Sequence, residues 1–361
     1  MKIAQIAPLY ESVPPQAYGG TERVVHYLTE ELVRQGHDVT LFASGDSRSS
    51  AQLVNGCEKA LRLTNACQDP LAHHMILLDK VFSLADQFDI LHFHTDYSHF
   101  PVSRALSLAT VTTLHGRLDL PDLEPLYKHF DQMPLVSISQ AQRVFLKRVN
   151  WVGNVYHGLP LNRFRNIRNH PGPYEYLAFV GRISPEKRLD RAIRIAVKAG
   201  MKLKIAAKID AVDRQYFESH IKELLDLPGV EFLGEMDEVQ KTRLLAGAFA
   251  YLFPIDWPEP FGLTMIEAMS CGTPTIAYRC GSVPEIIENG VNGFVVTNED
   301  EAVAALREVK NINRARCRAT FEQRFTACRM ARDYVSIYES LIDGGTLLDL
   351  PHPFEVTTRP S

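Results

Sequence analysis

At 361 residues the chain exceeds the roughly 100 to 200 residues usual for one domain, so two domains are expected. Apolar residues at 45% and charged residues at 23% are globular proportions and exclude a disordered or low-complexity chain. With 39 basic against 43 acidic residues and a net charge of -4, the chain lacks the basic field that tracks phosphodiester backbones, so no nucleic-acid partner is expected.

The first residues, Met-Lys-Ile-Ala-Gln-Ile-Ala, read as a strand and lack the long apolar core and cleavage site of a secretory signal, which makes a cytoplasmic location the expectation. No window approaches the roughly 20 apolar residues of a membrane span, while peripheral membrane contact stays open. Six cysteines without a C-x-x-C pair fit reduced thiols. Strands are expected at Ile3 to Ala7, Asp38 to Ala43, Ile90 to Phe93, Val111 to Leu114, Val136 to Ile138 and Asn154 to Tyr156. Thr21 is positioned to cap the first helix, Val24, Val25, Leu28 and Leu32 form its apolar stripe, and Gly36 ends it.

Residues 158–175, rich in proline and arginine and without periodicity, read as a linker. A second series follows. It comprises strand Tyr176 to Gly181, helix Arg188 to Lys198, strand Lys202 to Ala207, helix Val212 to Leu225, strand Val230 to Leu233 and helix Glu238 to Ala246. Then come strand Ala248 to Phe253, helix Gly262 to Ser270, strands Thr275 to Tyr278 and Gly293 to Val296, and helices Asp300 to Lys310 and Met330 to Ile342. Strands alternating with helices predict an α/β protein of two Rossmann-like, doubly wound domains facing a cleft. The expected boundaries are 1–160, completed by a C-terminal helix at about 328–342, then 161–327, with 343–361 as a tail. The segments 44–74 and 96–130 show no clear element pattern and are expected to be loops lining an acceptor face.

In such sheets ligands bind at the carboxyl ends of strands, and four constellations lie there. Arg182 leaves a strand and Lys187 precedes a helix, so both can converge on one anion, although two cations on an ordinary surface loop share the pattern. Trp257-Pro-Glu259-Pro-Phe261-Gly262-Leu263-Thr-Met-Ile-Glu267 holds Glu259 outside a helix that Phe261, Gly262 and Leu263 open. Glu267 one turn inside suits ribose hydroxyls, or else simply faces solvent. Gly19 and Gly20 before the first helix allow close backbone approach to phosphate, or form a plain turn; they are not a G-x-G-x-x-G fingerprint. His92 and His94 share a strand face and could chelate metal with Asp96 or His115; a histidine contacting sugar, with His115 the better placed, is the stronger reading, and packing histidines are the plain alternative.

The run Glu259-Pro-Phe-Gly-Leu-Thr-Met-Ile-Glu267-Ala-Met-Ser-Cys-Gly-Thr-Pro resembles the E-x7-E donor motif of retaining GT-B glycosyltransferases of family 4. Gly281-Ser-Val-Pro-Glu-Ile-Ile and Asn292-Gly-Phe-Val-Val fit it too. Gly181-Arg182 with Lys187 resembles the family's diphosphate clamp, Gly19-Gly20 its glycine loop and Tyr156-His157-Gly158 its interdomain crossing. The resemblance covers residues 1 to about 342. It implies a hexosyltransferase that moves a sugar from a nucleotide-sugar donor to an acceptor hydroxyl, with retention of configuration and without a metal or other cofactor. It also implies the roles. Arg182 and Lys187 would neutralise the diphosphate, Glu267 would hold ribose, Glu259 would contact the sugar, and the amides of Phe261, Gly262 and Leu263 would support sugar and phosphate. His115 would reach the sugar from the N-terminal domain, and Gly234 with Met236 would border the base. The paired Pro14-Pro15 before Gly19 resembles only a subset of the family, which includes enzymes that decorate small metabolites, and His157-Gly-Leu-Pro replaces the commoner Asn-Gly-Val-Asp. The acceptor, a small metabolite or a saccharide, and the oligomeric state are unassigned. A nucleotide-sugar epimerase or hydrolase on the same fold and a non-catalytic nucleotide-sugar-binding protein are the alternatives. An NAD oxidoreductase is disfavoured by the missing fingerprint.

Overall fold

A computed structural model describes residues 1–16, 19–64, 67–106, 108–161 and 174–344. The N-terminal half contains β1 (Lys2–Ile6), α1 (Gly20–Arg34), β2 (Asp38–Ser44), β3 (Gln52–Cys57), α2 (Pro70–Ser83) and β4 (Ile90–Phe93). It continues with α3 (Phe100–Leu106), β5 (Thr110–Thr113), α4 (Leu123–His129), β6 (Leu135–Ser137), α5 (Gln140–Arg143) and β7 (Trp151–Asn154). These strands form one parallel seven-stranded sheet, ordered β3-β2-β1-β4-β5-β6-β7.

The second half runs β8 (Tyr176–Arg182), α6 (Leu189–Ala199), β9 (Lys202–Lys208), α7 (Arg214–Tyr216), β10 (Val230–Phe232), α8 (Glu238–Gly247) and β11 (Ala250–Phe253). Then follow α9 (Leu263–Ser270), β12 (Thr275–Tyr278), α10 (Val283–Ile286), β13 (Gly293–Val296), α11 (Glu299–Val309), α12 (Arg314–Arg324) and α13 (Ala327–Asp343). Its six-stranded sheet is ordered β10-β9-β8-β11-β12-β13. In each sheet the order reverses once, between β1 and β4 and between β8 and β11. Open α/β sheets bind ligands in the crevices at such points, outside the carboxyl ends of the strands.

The chain passes between the halves twice, side by side. Leu159 N donates to Phe325 O at 2.9 Å and Ala327 N to Leu159 O at 2.9 Å. Gly158 is required there, because any Cβ would overlap the Thr326 carbonyl. One apolar cluster runs from Val24 and Leu28 under α1, through Val155 and Leu159, to Phe261, Phe325 and Tyr334, so the two halves share a core at the crossing. α13 packs on α1, and its Tyr338 hydroxyl lies 3.1 Å from Gln5 Nε2 in β1. Glu285 in α10 ties the halves again: its carboxylate accepts from Gln140 N at 2.8 Å, Ala141 N at 2.7 Å and the Tyr156 hydroxyl at 2.9 Å.

Several expectations are corrected. Thr21 does not cap α1; Gly19 occupies the N-cap position and no side chain among the described residues caps the helix. The segments expected to be loops contain β3, the start of α2, α3 and α4, with β5 between the last two. β3 is a half-exposed edge strand with Asn55 and Gly56 in its middle, so it lacks an apolar run. α2 is announced by Asp69, which caps it through Leu71 N and Ala72 N, and by Pro70 at its first position. The helix expected at 212–225 is a broken series of short 3-10, α and π turns. β7 precedes the strand expected at Asn154 to Tyr156. The tail from 345 onward, residues 162–173 of the expected linker, and Ala17 and Tyr18 lie outside the described residues.

Candidate active site

A cleft of about 370 Å³ opens between the two sheets at their carboxyl ends. Its C-terminal wall grows from the ends of β8 and β11, the strands that flank the switch point. Lys187 and Glu259 form an ion pair across these two loops, and the Trp257 indole N–H donates to the same Glu259 oxygen at 2.7 Å. The Lys187 ammonium also lies over the Phe253 and Trp257 rings at 5.5 and 5.6 Å, a cation–π cradle. The Glu259 loop is fixed from behind by Gly281 at φ 53°, where a Cβ would overlap the Glu259 backbone, and by Ser282 N, which donates to Glu259 O at 3.0 Å.

α9 starts directly after that loop. Gly262 occupies its N-cap position at φ 79°, and no side chain caps the helix, so its first amides face the cleft as a site for negative charge. Glu267, one turn in and 4% exposed, receives Lys241 Nζ at 2.7 Å. Lys241 in turn reaches Glu238 at 3.0 Å, and Glu238 pairs across the cleft with Arg23 of α1. A ladder of alternating charge thus links the N-terminal domain to Glu267.

Arg182 does not present a bare cation. It meets Glu186 at 2.6 Å, Asp213 at 3.2 Å and Asp210 at 3.8 Å, and Lys208 meets Asp210 at 3.0 Å. Burial raises the Glu186 carboxyl, but backbone hydrogen bonds and Arg182 outweigh it and leave that group below its ordinary value. At Asp213 burial prevails over Arg182 and the carboxyl is raised. A guanidinium has five donors, so Arg182 can keep a carboxylate while turning others to a ligand.

Apart from Arg23, which is paired with Glu238, the N-terminal wall is neutral. Gly19, Gly20 and Thr21 line the cleft, as do His115, Gly116 and His157. Gly19 is needed for close approach, because a Cβ would lie 2.7 Å from Pro15 Cβ. His115 and His157 stack at 5.2 Å between centroids, and burial pushes the His115 imidazole down to about 3. His92 and His94 have both ring nitrogens hydrogen-bonded to protein atoms, which leaves neither ring a lone pair for a metal.

The cleft therefore gathers Gly19, Gly20, His115, Arg182, Lys187, Met236, Glu259, Phe261, Gly262, Leu263 and Glu267 in one place. Gly234 is the exception. Its neighbours Glu235 and Met236 line the cleft, while Gly234 turns the chain at φ 72° and its carbonyl accepts from Ala207 N at 2.9 Å. Sequence reasoning missed Lys241, Arg23, Lys208 and His157 as lining residues. Lys241 meets Glu267 across 26 positions of sequence, and no local spacing announces that contact.

Two family models match consecutive stretches. Glycosyltransferase Family 4 matches residues 18–155 and Glycosyl transferases group 1 matches residues 162–323. Alpha-maltose-1-phosphate synthase of Mycolicibacterium smegmatis is 25% identical over 83% of this chain and 87% of its own. Among solved structures, a glycosyltransferase involved in avilamycin A biosynthesis superposes with a TM-score of 0.72 at 23% identity, covering 95% of this chain and 98% of that one. HepE of Anabaena, solved with UDP-glucose, gives 0.69 at 19% identity, covering 95% and 100%. The matches run through both sheets and the cleft between them, and the chain belongs to the GT-B glycosyltransferases, a family 4 domain joined to a group 1 domain.

Proposed function

We propose that the protein transfers a hexose from a nucleoside-diphosphate sugar to an acceptor hydroxyl with retention of configuration at the anomeric carbon, without a metal. The observation that carries this reading is the pairing of Lys187 and Arg182 with the uncapped start of α9 in one cleft, since together they suit a diphosphate. The relatives add weight: one bears the name of a sugar-phosphate synthase and a structural neighbour was solved with UDP-glucose.

In this reading the diphosphate lies against Arg182, Lys187 and the first amides of α9. Glu267 takes the ribose hydroxyls, and Met236 borders the base. Glu259, oriented by Trp257, meets the sugar, and His115 reaches it from the opposite wall. As the bond from the anomeric carbon to the phosphate oxygen breaks, charge grows on the diphosphate where the cations stand. The acceptor oxygen bonds to the same face of the carbon, and its proton passes to the departing phosphate oxygen. The sugar's positive character faces Glu259.

Incubation with UDP-, GDP- and ADP-sugars, following nucleoside diphosphate release and the anomeric proton of the product, tests the reading. The expected result is release with one nucleotide class only, an α-linked product from an α-linked donor, and turnover lowered at least about a hundredfold in Lys187→Ala. An inverted product would overturn retention. Free or isomerised sugar without an acceptor would favour a hydrolase or epimerase.

A further inference from the structure

Behind the neutral wall lies a chain of buried polar groups that the proposed chemistry does not use. Gln5 in β1, His92 in β4 and Tyr338 in α13 are fully buried, and His94 is 3% exposed. Gln5 Nε2 donates to the Tyr338 hydroxyl at 3.1 Å, and that hydroxyl lies 2.7 Å from His92 Nδ1. On its other side Gln5 Oε1 lies 2.8 Å from His94 Nε2, and His94 Nδ1 lies 2.8 Å from His115 Nε2. The far end closes through His92 Nε2 to Thr113 Oγ1 at 2.8 Å and Thr113 to the Tyr334 hydroxyl at 2.9 Å.

These contacts have one direction. A carbonyl oxygen only accepts, so His94 carries its proton on Nε2. Burial holds His94 well below its ordinary value, so the ring is neutral and its Nδ1 is bare. His115 Nε2 must then donate to that nitrogen. His115 is neutral for the same reason, which leaves its own Nδ1 without a proton. That nitrogen is buried without a hydrogen-bond partner among the described residues, and the ring that carries it borders the cleft, so a small turn of the ring would bring Nδ1 to the cleft surface. A buried acceptor left unpaired is costly, and a hydroxyl of a bound ligand would relieve it.

We propose that Gln5 and His94 are positioning residues that lock His115 in the tautomer protonated on Nε2, so that a bare Nδ1 accepts a hydrogen from a hydroxyl of the donor sugar. This rests on the reading of the cleft as a nucleotide-sugar site. His115 then reads the sugar as a hydrogen-bond acceptor and cannot donate a proton through Nδ1. A donor whose hydroxyl at that position is deoxy or oxidised to a carbonyl is discriminated against. Tyr338 holds the Gln5 amide by accepting from its Nε2, which also lies 3.3 Å from His92 Nδ1, so the amide oxygen is turned to His94. The return helix α13 thereby sets the polarity of the wall on which the sugar rests.

The test uses the full chain with nitrogen-15 histidine, with His115→Gln to assign the signal. Without ligand, wild-type His115 is expected to show a protonated Nε2 and an unprotonated Nδ1. Gln5→Glu keeps an acceptor for His94 Nε2, but its charge draws a second proton onto His94 Nδ1, which must then donate to His115. The expected result is a swap of the His115 proton to Nδ1. With it, affinity for the nucleoside-diphosphate sugar falls about tenfold while affinity for the nucleoside diphosphate stays unchanged. Gln5→Met, which has neither acceptor nor charge, is expected to give mixed tautomers and an intermediate loss. A protonated Nδ1 in the wild type overturns the lock. So does a swap with unchanged sugar-nucleotide affinity, or an equal loss for both ligands. A wild type that binds no nucleoside diphosphate would overturn the donor reading instead, and the ligand-free spectrum separates the two failures.

Discussion

The two walls of the cleft are built from opposite materials. The C-terminal wall is a set of ion pairs: Lys187 with Glu259, Lys241 with Glu267 and Glu238, and Arg182 with three carboxylates. The N-terminal wall carries one cation, Arg23, paired with Glu238; the rest is a glycine loop and neutral imidazoles joined by hydrogen bonds rather than charge. A wall of balanced charge exchanges an internal partner for a polyanion at modest net cost, whereas a neutral wall distinguishes hydroxyl patterns without attracting bulk anions. The difference assigns diphosphate recognition to one domain and sugar recognition to the other.

Acid should break the neutral wall first and with the largest effect. His92, His94, His99, His115 and His157 are held below their ordinary value of 6.5 by burial. Between the folded and unfolded values the unfolded chain binds more protons, so stability falls as pH drops below about 6.5, by about 1.4 kcal/mol per unit for each group. Thermal melts from pH 8 to 5 should show Tm level down to about 6.5 and falling below it; a profile flat to pH 5 would mean that the imidazoles are not buried neutral.

On the charged wall, Lys187→Ala should lower turnover roughly 10²- to 10³-fold, as for loss of one group that stabilises developing charge. Steady-state kinetics check it, and unchanged kcat would remove Lys187 from the chemistry. Gly281→Ala should cost about 1–3 kcal/mol, because the new Cβ at positive φ meets the Glu259 backbone, and it should weaken sugar-nucleotide binding without touching the cleft. Chemical denaturation and calorimetry measure the two effects. Glu267→Ala should lose roughly tenfold or more in nucleoside diphosphate affinity, the contribution of hydrogen bonds to a charged group. The smallest effect is expected from Arg23→Ala, which removes the cross-cleft pair with Glu238. Turnover should change least in this variant; stability should fall by about 1–3 kcal/mol, because Arg23 is buried and Glu238 loses one charged partner while keeping Lys241, and small-angle scattering of the ligand-free protein should show a more open pair of domains.

The charged wall was the more legible one in the sequence. Glu259, Gly262 and Glu267 lie within nine residues and Arg182 and Lys187 within six, so turn chemistry and helix position place them together. The neutral wall was only partly legible: His115 was recognisable at a strand end, but its partners come from β1, β4 and α13, and only the sheet order brings Gln5 beside His92. The same limit hid α12. Its sequence Arg-Ala-Arg-Cys-Arg-Ala-Thr-Phe-Glu-Gln-Arg buries only Cys317, Thr320 and Phe321, too few apolar positions to mark a stripe. Conversely, the expected helix at 212–225 breaks because few of its side chains are buried to hold a regular period, Asp213 and Ile221 being the buried ones.

The division of labour between the walls is tested most directly by calorimetric titration of the nucleoside diphosphate and of its sugar conjugate into wild type, Lys187→Ala and His115→Ala. The account predicts that Lys187→Ala weakens both ligands, while His115→Ala leaves the nucleoside diphosphate unchanged and removes the added affinity of the sugar. Equal weakening of both ligands by His115→Ala, or unchanged nucleoside diphosphate binding in Lys187→Ala, would contradict it.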